Sequence, residues 1–436
     1  MNKGWRLYER AKKIIPGGTQ LFSKRPEIFL PELWPCYYTQ AKGVKVKAID
    51  GKTYIDMSHN GVGTYILGVA DPEIDSEVIK AIKKGTMSTL NCPEEVKLAE
   101  LLIELHPWAE MVRFARTGGE AMAVAVRIAR AATGREKIVF CGYHGWHDWY
   151  LSANLTDERN LNNLLLPGLE PNGVPVSLKG TSIPFEYNRT DQLDKIIEKN
   201  GNEIAAIVME PVRSTQPQQG FLEHVRKVSK KINCVLVFDE ITAGWRMNVG
   251  GIHLIYNIIP DMAVLGKAMG NGYPMAAIIG KKEVMEAAQK TFISSSYWTE
   301  RIGPVAALAT IRKIQRENVP DYLIKIGNEF RRILNETATK YGLNIKISGI
   351  PPLTGFSFDY ENSQAISTLF TQEMLKNGFL AGKSFYATFS HKMEHLKKYQ
   401  NALDKVFKKI SEAINNGTVE KKLRCPIAHS TFKRLA

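Results

Sequence analysis

The sequence predicts an α/β protein: a large domain on a mainly parallel β-sheet between helices, joined to a smaller α+β domain. Three observations carry this expectation. From about residue 70, short apolar runs ("MVRFAR", "KIVFC", "IAAIVME", "CVLVFDE", "MAVLG", "MAAIIG") alternate with helical patterns such as "EEVKLAELLIEL" and "GEAMAVAVRIARAAT", the texture of βαβ units. Beyond Pro304, helix-rich segments lead to the strand-like "LTGFSFDY" and "FYATFS", separated by "AISTLFTQEMLKNG". A chain of 436 residues with 44% hydrophobic content can also bury one large core and a smaller one.

Taken in order, "WRLYERAKKII" (residues 5–15) has apolar residues at helical spacing and stops at Pro16-Gly17-Gly18. "GVKVKAIDGKTYIDM" reads as two alternating strands around an Asp50-Gly51 turn. The expected division is an N-terminal segment over 1–65 that contributes to the small domain, a large domain over 66–310, and the rest of the small domain over 311–436. Residues 417–436 are polar and basic and are expected to form a poorly ordered tail.

Composition narrows the function classes. The balance of 58 Lys+Arg against 44 Asp+Glu, net +14, suits phosphorylated or carboxylated small molecules as well as larger anions. Nucleic acid is disfavoured, because lysines such as Lys12-Lys13 and Lys83-Lys84 are scattered among acids without interleaved aromatics. The five cysteines are odd in number, far apart and without metal-ligand spacing, as expected of reduced thiols. No segment approaches the apolar length of a membrane span and no signal-peptide pattern opens the chain, so a cytoplasmic protein is expected.

Three features fall at predicted strand ends, where open α/β sheets bind ligands. In "MVRFARTGGEAMAV", a strand runs into Thr117-Gly118-Gly119 and then a helix. Glycines admit close approach of an anion and a helix N-terminus favours phosphate, although caps and turns use the same residues. "CVLVFDE" ends in Asp239-Glu240, acids that could bind metal, act as bases or cap a helix; neighbouring metal ligands at suitable spacing are lacking. "AVLGKAMGNGYPMAA" places Lys267 directly after an apolar run. An amine, a carboxylate and an anion cradle together meet the needs of pyridoxal 5′-phosphate, which condenses with an amine and needs its ring nitrogen kept protonated.

The ordered motifs "TGGEA", "YHGWHD", "EP", "FDEI", "LGKAMGNGYP" and "YWTERIGP" resemble the class III, fold-type-I pyridoxal-phosphate aminotransferases, most closely the glutamate-1-semialdehyde aminomutase branch. The resemblance spans roughly residues 5–410 and implies a large seven-stranded sheet domain with a small domain assembled from the N- and C-terminal segments. It implies Lys267 as the Schiff-base lysine and Asp239 as the acid at the pyridine nitrogen. Thr117, Gly118 and Gly119 match the phosphate loop, Tyr143 the stacking ring, and Glu210 an acid bordering the cofactor. Thr299 matches the threonine that reaches the phosphate from a neighbouring subunit, so a homodimer with shared sites is implied.

The sequence also departs from that pattern. The polar stretch over residues 143–175 is long for a loop and reads as a lid or gate, with Trp146, Trp149 and Tyr150 suggesting a different substrate pocket. Arg25, or Lys24 in another register, and Arg213 after "EP" are candidate ligands for a substrate anion, as is Arg246 in "GWR". His144 and His147 are expected to make structural hydrogen bonds. Thr299-Glu300-Arg301-Ile302-Gly303-Pro304 replaces the usual Thr-x-x-Gly-Asn-Pro. The expected activity is a ping-pong aminotransferase that passes an amino group from a small-molecule donor to an aldehyde or keto acceptor through Lys267 and pyridoxamine phosphate. The alternatives are an aminomutase, epimerase or ammonia lyase on the same fold, or a non-catalytic relative.

Overall fold

A computed structural model describes residues 3–432. The chain divides into two compact units: residues up to Asp71 together with those from Asp321 onward, and Pro72–Pro320. The expected breaks lay at 65/66 and 310/311.

The Pro72–Pro320 unit holds seven strands: β1 (Met111–Ala115), β2 (Lys137–Cys141), β3 (Ser182–Pro184), β4 (Ile204–Met209), β5 (Val235–Asp239), β6 (Met262–Leu265) and β7 (Ala276–Gly280). Their order is β1-β7-β6-β5-β4-β2-β3. The run from β6 to β3 is parallel. Only β7 is antiparallel to its neighbours. Residues 266–275, which join β6 to β7, are too few for the helical crossover that a parallel pair requires. The sheet is thus mainly parallel, as expected.

Strands β4, β5, β6 and β7 are buried at every position. This explains why they read as unbroken apolar runs: helices cover both faces of such a sheet. Each buried Val, Ile, Leu or Phe contributes about 1.5–3 kcal/mol relative to exposure. The short β3 escaped sequence reading because three residues ending in Pro184 carry almost no period, and proline confines it to the sheet edge.

In the other unit, the expected hairpin pairs Lys45–Ala48 with Thr53–Met57. Gly51 supplies the turn at φ 90°, a conformation that side chains rarely adopt. Tyr38–Lys42 adds a strand on one side and Phe379–Ala381 pairs in parallel on the other, so N- and C-terminal segments share one sheet. A second sheet joins Ile345–Ser348, Leu353–Phe358 and Ser384–Tyr386. The C-terminal segment corrects one expectation. Val419 and Ala428 are buried, the Ala428 N–H donates to Thr368 Oγ1 at 3.0 Å and the His429 N–H to the Glu27 carbonyl at 2.8 Å. A few apolar anchors therefore order a mostly polar stretch up to Phe432; residues 433–436 lie outside the described residues. Among the described residues, no helix is long and apolar enough to cross a membrane.

Candidate active site

Parallel strands place their C-terminal ends along one sheet edge, and the singled-out residues of this unit follow directly on them. Thr117 comes after β1, Tyr143 after β2, Glu210 after β4 and Lys267 after β6, while Asp239 closes β5.

Lys267 is partly buried and its Nζ donates to Thr242 Oγ1 at 2.9 Å. Burial lowers its pKa to about 8; Arg213 and Arg246 push the same way, while Glu210 and Asp239 oppose them. The neutral, nucleophilic form of the amine is therefore far more populated at physiological pH than in an ordinary lysine. Its backbone lies at φ 42°, the left-handed region that lysine seldom occupies. Surroundings must hold such a conformation, and reactive sites are where it tends to occur.

Asp239 is 4% exposed. One carboxylate oxygen faces His144 Nδ1 at 2.8 Å and the other accepts the Ile241 N–H at 3.0 Å. His144 is itself buried, with Nε2 3.2 Å from the Cys141 carbonyl. The adjacent Glu240 is engaged elsewhere. It accepts the N–H groups of Ile252 and His253 at 3.0 and 2.9 Å and faces His253 Nδ1 at 2.7 Å. The two acids therefore part company: Asp239 pairs with His144 within electrostatic reach of Lys267, and Glu240 braces the backbone at 252–253.

Thr117 caps the helix Gly118–Thr133 through a capping box: its hydroxyl accepts the Glu120 N–H at 3.5 Å while Glu120 Oε2 accepts the Thr117 N–H at 2.9 Å. The bland role of this threonine is thus real, and it leaves the first-turn N–H groups of Gly118 and Gly119 at a helix N-terminus. Both glycines are tightly walled. A Cβ on Gly118 would stand 2.9 Å from Ile241 Cδ1, and one on Gly119 2.9 Å from His147 Cε1. Tyr143 is partly buried; its N–H donates to Glu210 Oε2 at 3.2 Å, and the Arg213 guanidinium carbon lies 5.8 Å from its ring centroid. Arg213 Nη1 is 3.4 Å from the same Glu210 oxygen.

Other expected residues have surroundings of their own. Trp146 is 68% exposed and stacks on His147 at 4.4 Å, at the rim of the glycine turn. Trp149 and Tyr150 are buried in the hydrophobic core with Phe140, so they do not form the pocket suggested for them. The long loop behind them is packed down: Leu161 is fully buried, and Asn154 Nδ2 donates to the Leu169 carbonyl at 2.8 Å. Arg25 lies in the other unit, its guanidinium 5.1 and 5.6 Å from the Phe22 and Phe432 rings. Thr299 is exposed and donates to the Ser296 carbonyl at 2.9 Å; among the described residues, no hydrogen bond ties it to Lys267. The unusual residues after it are structural. Glu300 accepts the N–H groups of Ile302 and Gly303 at the start of the helix Ile302–Arg316. Arg301 forks onto Glu94 at 3.0 and 2.8 Å.

Thr242, the hydrogen-bond partner of Lys267, has no sequence signature, because a lone threonine in a turn carries no chemical signal. The structural bond expected of His144 is to Asp239, a partner that the sequence does not identify.

The class III aminotransferase family matches residues 31–414. A 3-aminobutyryl-CoA aminotransferase of Cloacimonas acidaminovorans is 33% identical over 84% of this chain and 86% of its own length. A glutamate-1-semialdehyde 2,1-aminomutase of Methanobrevibacter smithii is 32% identical over 91% of this chain and 96% of its own. Among solved structures, the FumI protein of Sphingopyxis sp. MTA144 superposes with a TM-score of 0.86 at 24% identity, covering 98% of this chain and 99% of that one.

Proposed function

This chain belongs to the class III aminotransferase family and is a pyridoxal-phosphate-dependent aminotransferase; on that premise we propose that Lys267 tethers the cofactor and moves the proton at the substrate carbon. When bound, the cofactor supplies an aldehyde that condenses with amines and a ring that accepts the electron pair released at that carbon. The residues at the sheet edge fit this group. The single observation that carries the assignment is the Lys267 amine, whose burial lowers its pKa to about 8 and which lies within electrostatic reach of the buried Asp239 carboxylate.

In this reading Asp239, oriented by His144 and the Ile241 N–H, holds a proton on the ring nitrogen. Tyr143 offers its ring face, and Glu210 fixes the Tyr143 backbone beside the pocket. The Gly118 and Gly119 N–H groups and the Thr117 hydroxyl hold phosphate, where an added Cβ would meet Ile241 or His147. Thr242 orients the Lys267 amine. Thr299 serves the phosphate of a second copy in a homodimer. Exposed apolar side chains in the same unit, Leu90 at 81% and Phe292 at 84%, support such an interface. Trp146 and Arg25 are the proposed substrate contacts. Five free cysteines favour a cytoplasmic setting.

The aminomutase relative keeps an intramolecular amino shift as the second reading. Adding an amino donor alone to the loaded protein separates the two. A transaminase bleaches the long-wavelength absorption band of the lysine-bound cofactor and releases one equivalent of carbonyl product; a mutase releases none and isomerises its substrate without a partner. Absence of a spectral response across a broad donor screen contradicts the aminotransferase assignment.

A further inference from the structure

The turn assigned to phosphate offers neutral donors only: the Gly118 and Gly119 N–H groups at the start of the helix and the Thr117 hydroxyl. The charge built into it has the wrong sign for an anion. Glu120 Oε2 accepts the Arg116 and Thr117 N–H groups at 3.3 and 2.9 Å. The Arg116 guanidinium, one residue before the turn, is directed to the Glu300 carbonyl at 2.5 Å. A dianion held beside the Glu120 carboxylate calls for a further group that can carry positive charge.

His147 stands where such a group is needed. A Cβ on Gly119 would lie 2.9 Å from its Cε1 and 3.0 Å from its Nδ1, so this edge of the imidazole rests directly on the glycine. The backbone leading to it is pressed onto the same residue: a Cβ on Gly145, at φ 104°, would stand 3.0 Å from the Gly119 Cα. Trp146 sets the ring plane by stacking at 4.4 Å and 27°. Yet His147 Nδ1 is buried without a hydrogen-bond partner among the described residues. His144, three residues earlier, has both ring nitrogens engaged. A buried nitrogen left unpaired is costly, and a native fold that keeps one has a use for it. Burial lowers the pKa of His147, while Glu120 and Asp148, the acids that face it, act in the opposite direction. The ring is thus mostly neutral near neutral pH before an anion arrives, and able to gain a proton when one does.

We propose that His147 is a further phosphate ligand at this turn: a ring N–H donates to the phosphate, and the imidazole takes a proton from water as the dianion settles beside Gly119. This rests on the pyridoxal-phosphate reading and adds a residue to the anchor of that cofactor. A dianion next to the ring favours its charged form and offsets both its burial and the repulsion from Glu120. It also gives position 119 a reason to be glycine, since any side chain there would displace the imidazole.

The test compares pyridoxal phosphate with pyridoxal, which lacks only the phosphate, by titrating each into the cofactor-free protein and following the long-wavelength band of the lysine-bound cofactor. His147→Phe keeps a ring for Trp146 to stack on and removes both nitrogens. It should weaken pyridoxal phosphate by about 10-fold to 100-fold and leave pyridoxal nearly unchanged. His147→Gln keeps a neutral donor and falls between. Independently, nuclear magnetic resonance of the histidine-labelled, cofactor-free protein should show inorganic phosphate raising the pKa of His147, whose signal is identified by its loss in His147→Phe. An unchanged ratio of the two affinities in the folded variants, an equal loss of both compounds, or a His147 signal indifferent to phosphate overturns the proposal. If neither compound gives a band with the wild type, the Lys267 tether fails, and the phosphate titration still decides the role of His147.

Discussion

The two edges of the large sheet each bury an aspartate among cations, yet they are arranged for opposite ends. At the edge where β6 begins, Asp261 receives a bidentate fork from Arg226 at 2.7 and 2.8 Å, Lys281 at 2.9 Å and the Leu236 N–H at 2.9 Å. Burial alone would raise its pKa, but the Arg226 fork, the Leu236 N–H and Lys281 hold the carboxyl below its usual range. At the edge where β6 ends, Asp239 has two donors, one of them an imidazole, and the nearby Lys267 amine meets a hydroxyl rather than an acid. The first edge is closed electrostatically and serves the fold. The second leaves an amine poised between its charged and neutral forms, the condition for covalent chemistry.

Exchanging each acid for its amide separates the two roles most sharply. Asp239→Asn should lower kcat by on the order of 1000-fold, as expected for loss of a charge placed against the reacting system, with a modest change in melting temperature. Asp261→Asn should do the reverse, costing up to about 3 kcal/mol of stability because two partly buried cations lose their counter-ion, measured by urea denaturation. Equal stability losses in both would erase the distinction between the edges.

A smaller effect belongs to His144, which acts through Asp239 rather than on substrate. His144→Phe should reduce kcat by on the order of 100-fold through misplacement of the carboxylate, shift the pH dependence of the long-wavelength cofactor band and leave KM nearly unchanged. An unaltered pH dependence of that band would make His144 a packing residue only.

The smallest and most graded effect is in pH. In the cofactor-free protein, the Lys267 amine titrates near 8 against an ordinary value of 10.5. Between those values the unfolded chain binds more protons than the folded one, so stability from this group rises as pH increases through that window. Competitive acetylation followed by mass spectrometry should show Lys267 reactivity climbing around pH 8, well before the surface lysines. Titration with the surface lysines would place the amine in water.

Much of this edge was legible in the letters because strand ends that bear Lys267, Asp239 and the Thr117-Gly118-Gly119 turn each follow an apolar run, and parallel topology brings such ends together. What stayed hidden depends on direction and packing. Asp239 and Glu240 are neighbours in sequence but diverge at the end of β5, so only coordinates show that one pairs with His144 and the other with His253. Trp146, Trp149 and Tyr150 look like one aromatic group, yet a short helical turn sends Trp149 and Tyr150 into the core and leaves Trp146 in solvent. The antiparallel β7 reads like its parallel neighbours because burial on both faces, not strand direction, sets its composition.

The tether itself is tested most directly by adding pyridoxal 5′-phosphate to the protein, reducing with borohydride and mapping the modified peptide by mass spectrometry. The pyridoxyl group should be recovered on the lysine of "AVLGKAMGNGYPMAA", with the label and the long-wavelength band of the lysine-bound cofactor both missing from Lys267→Ala. Recovery on another lysine, or a Lys267→Ala protein with an unchanged band, would contradict the account.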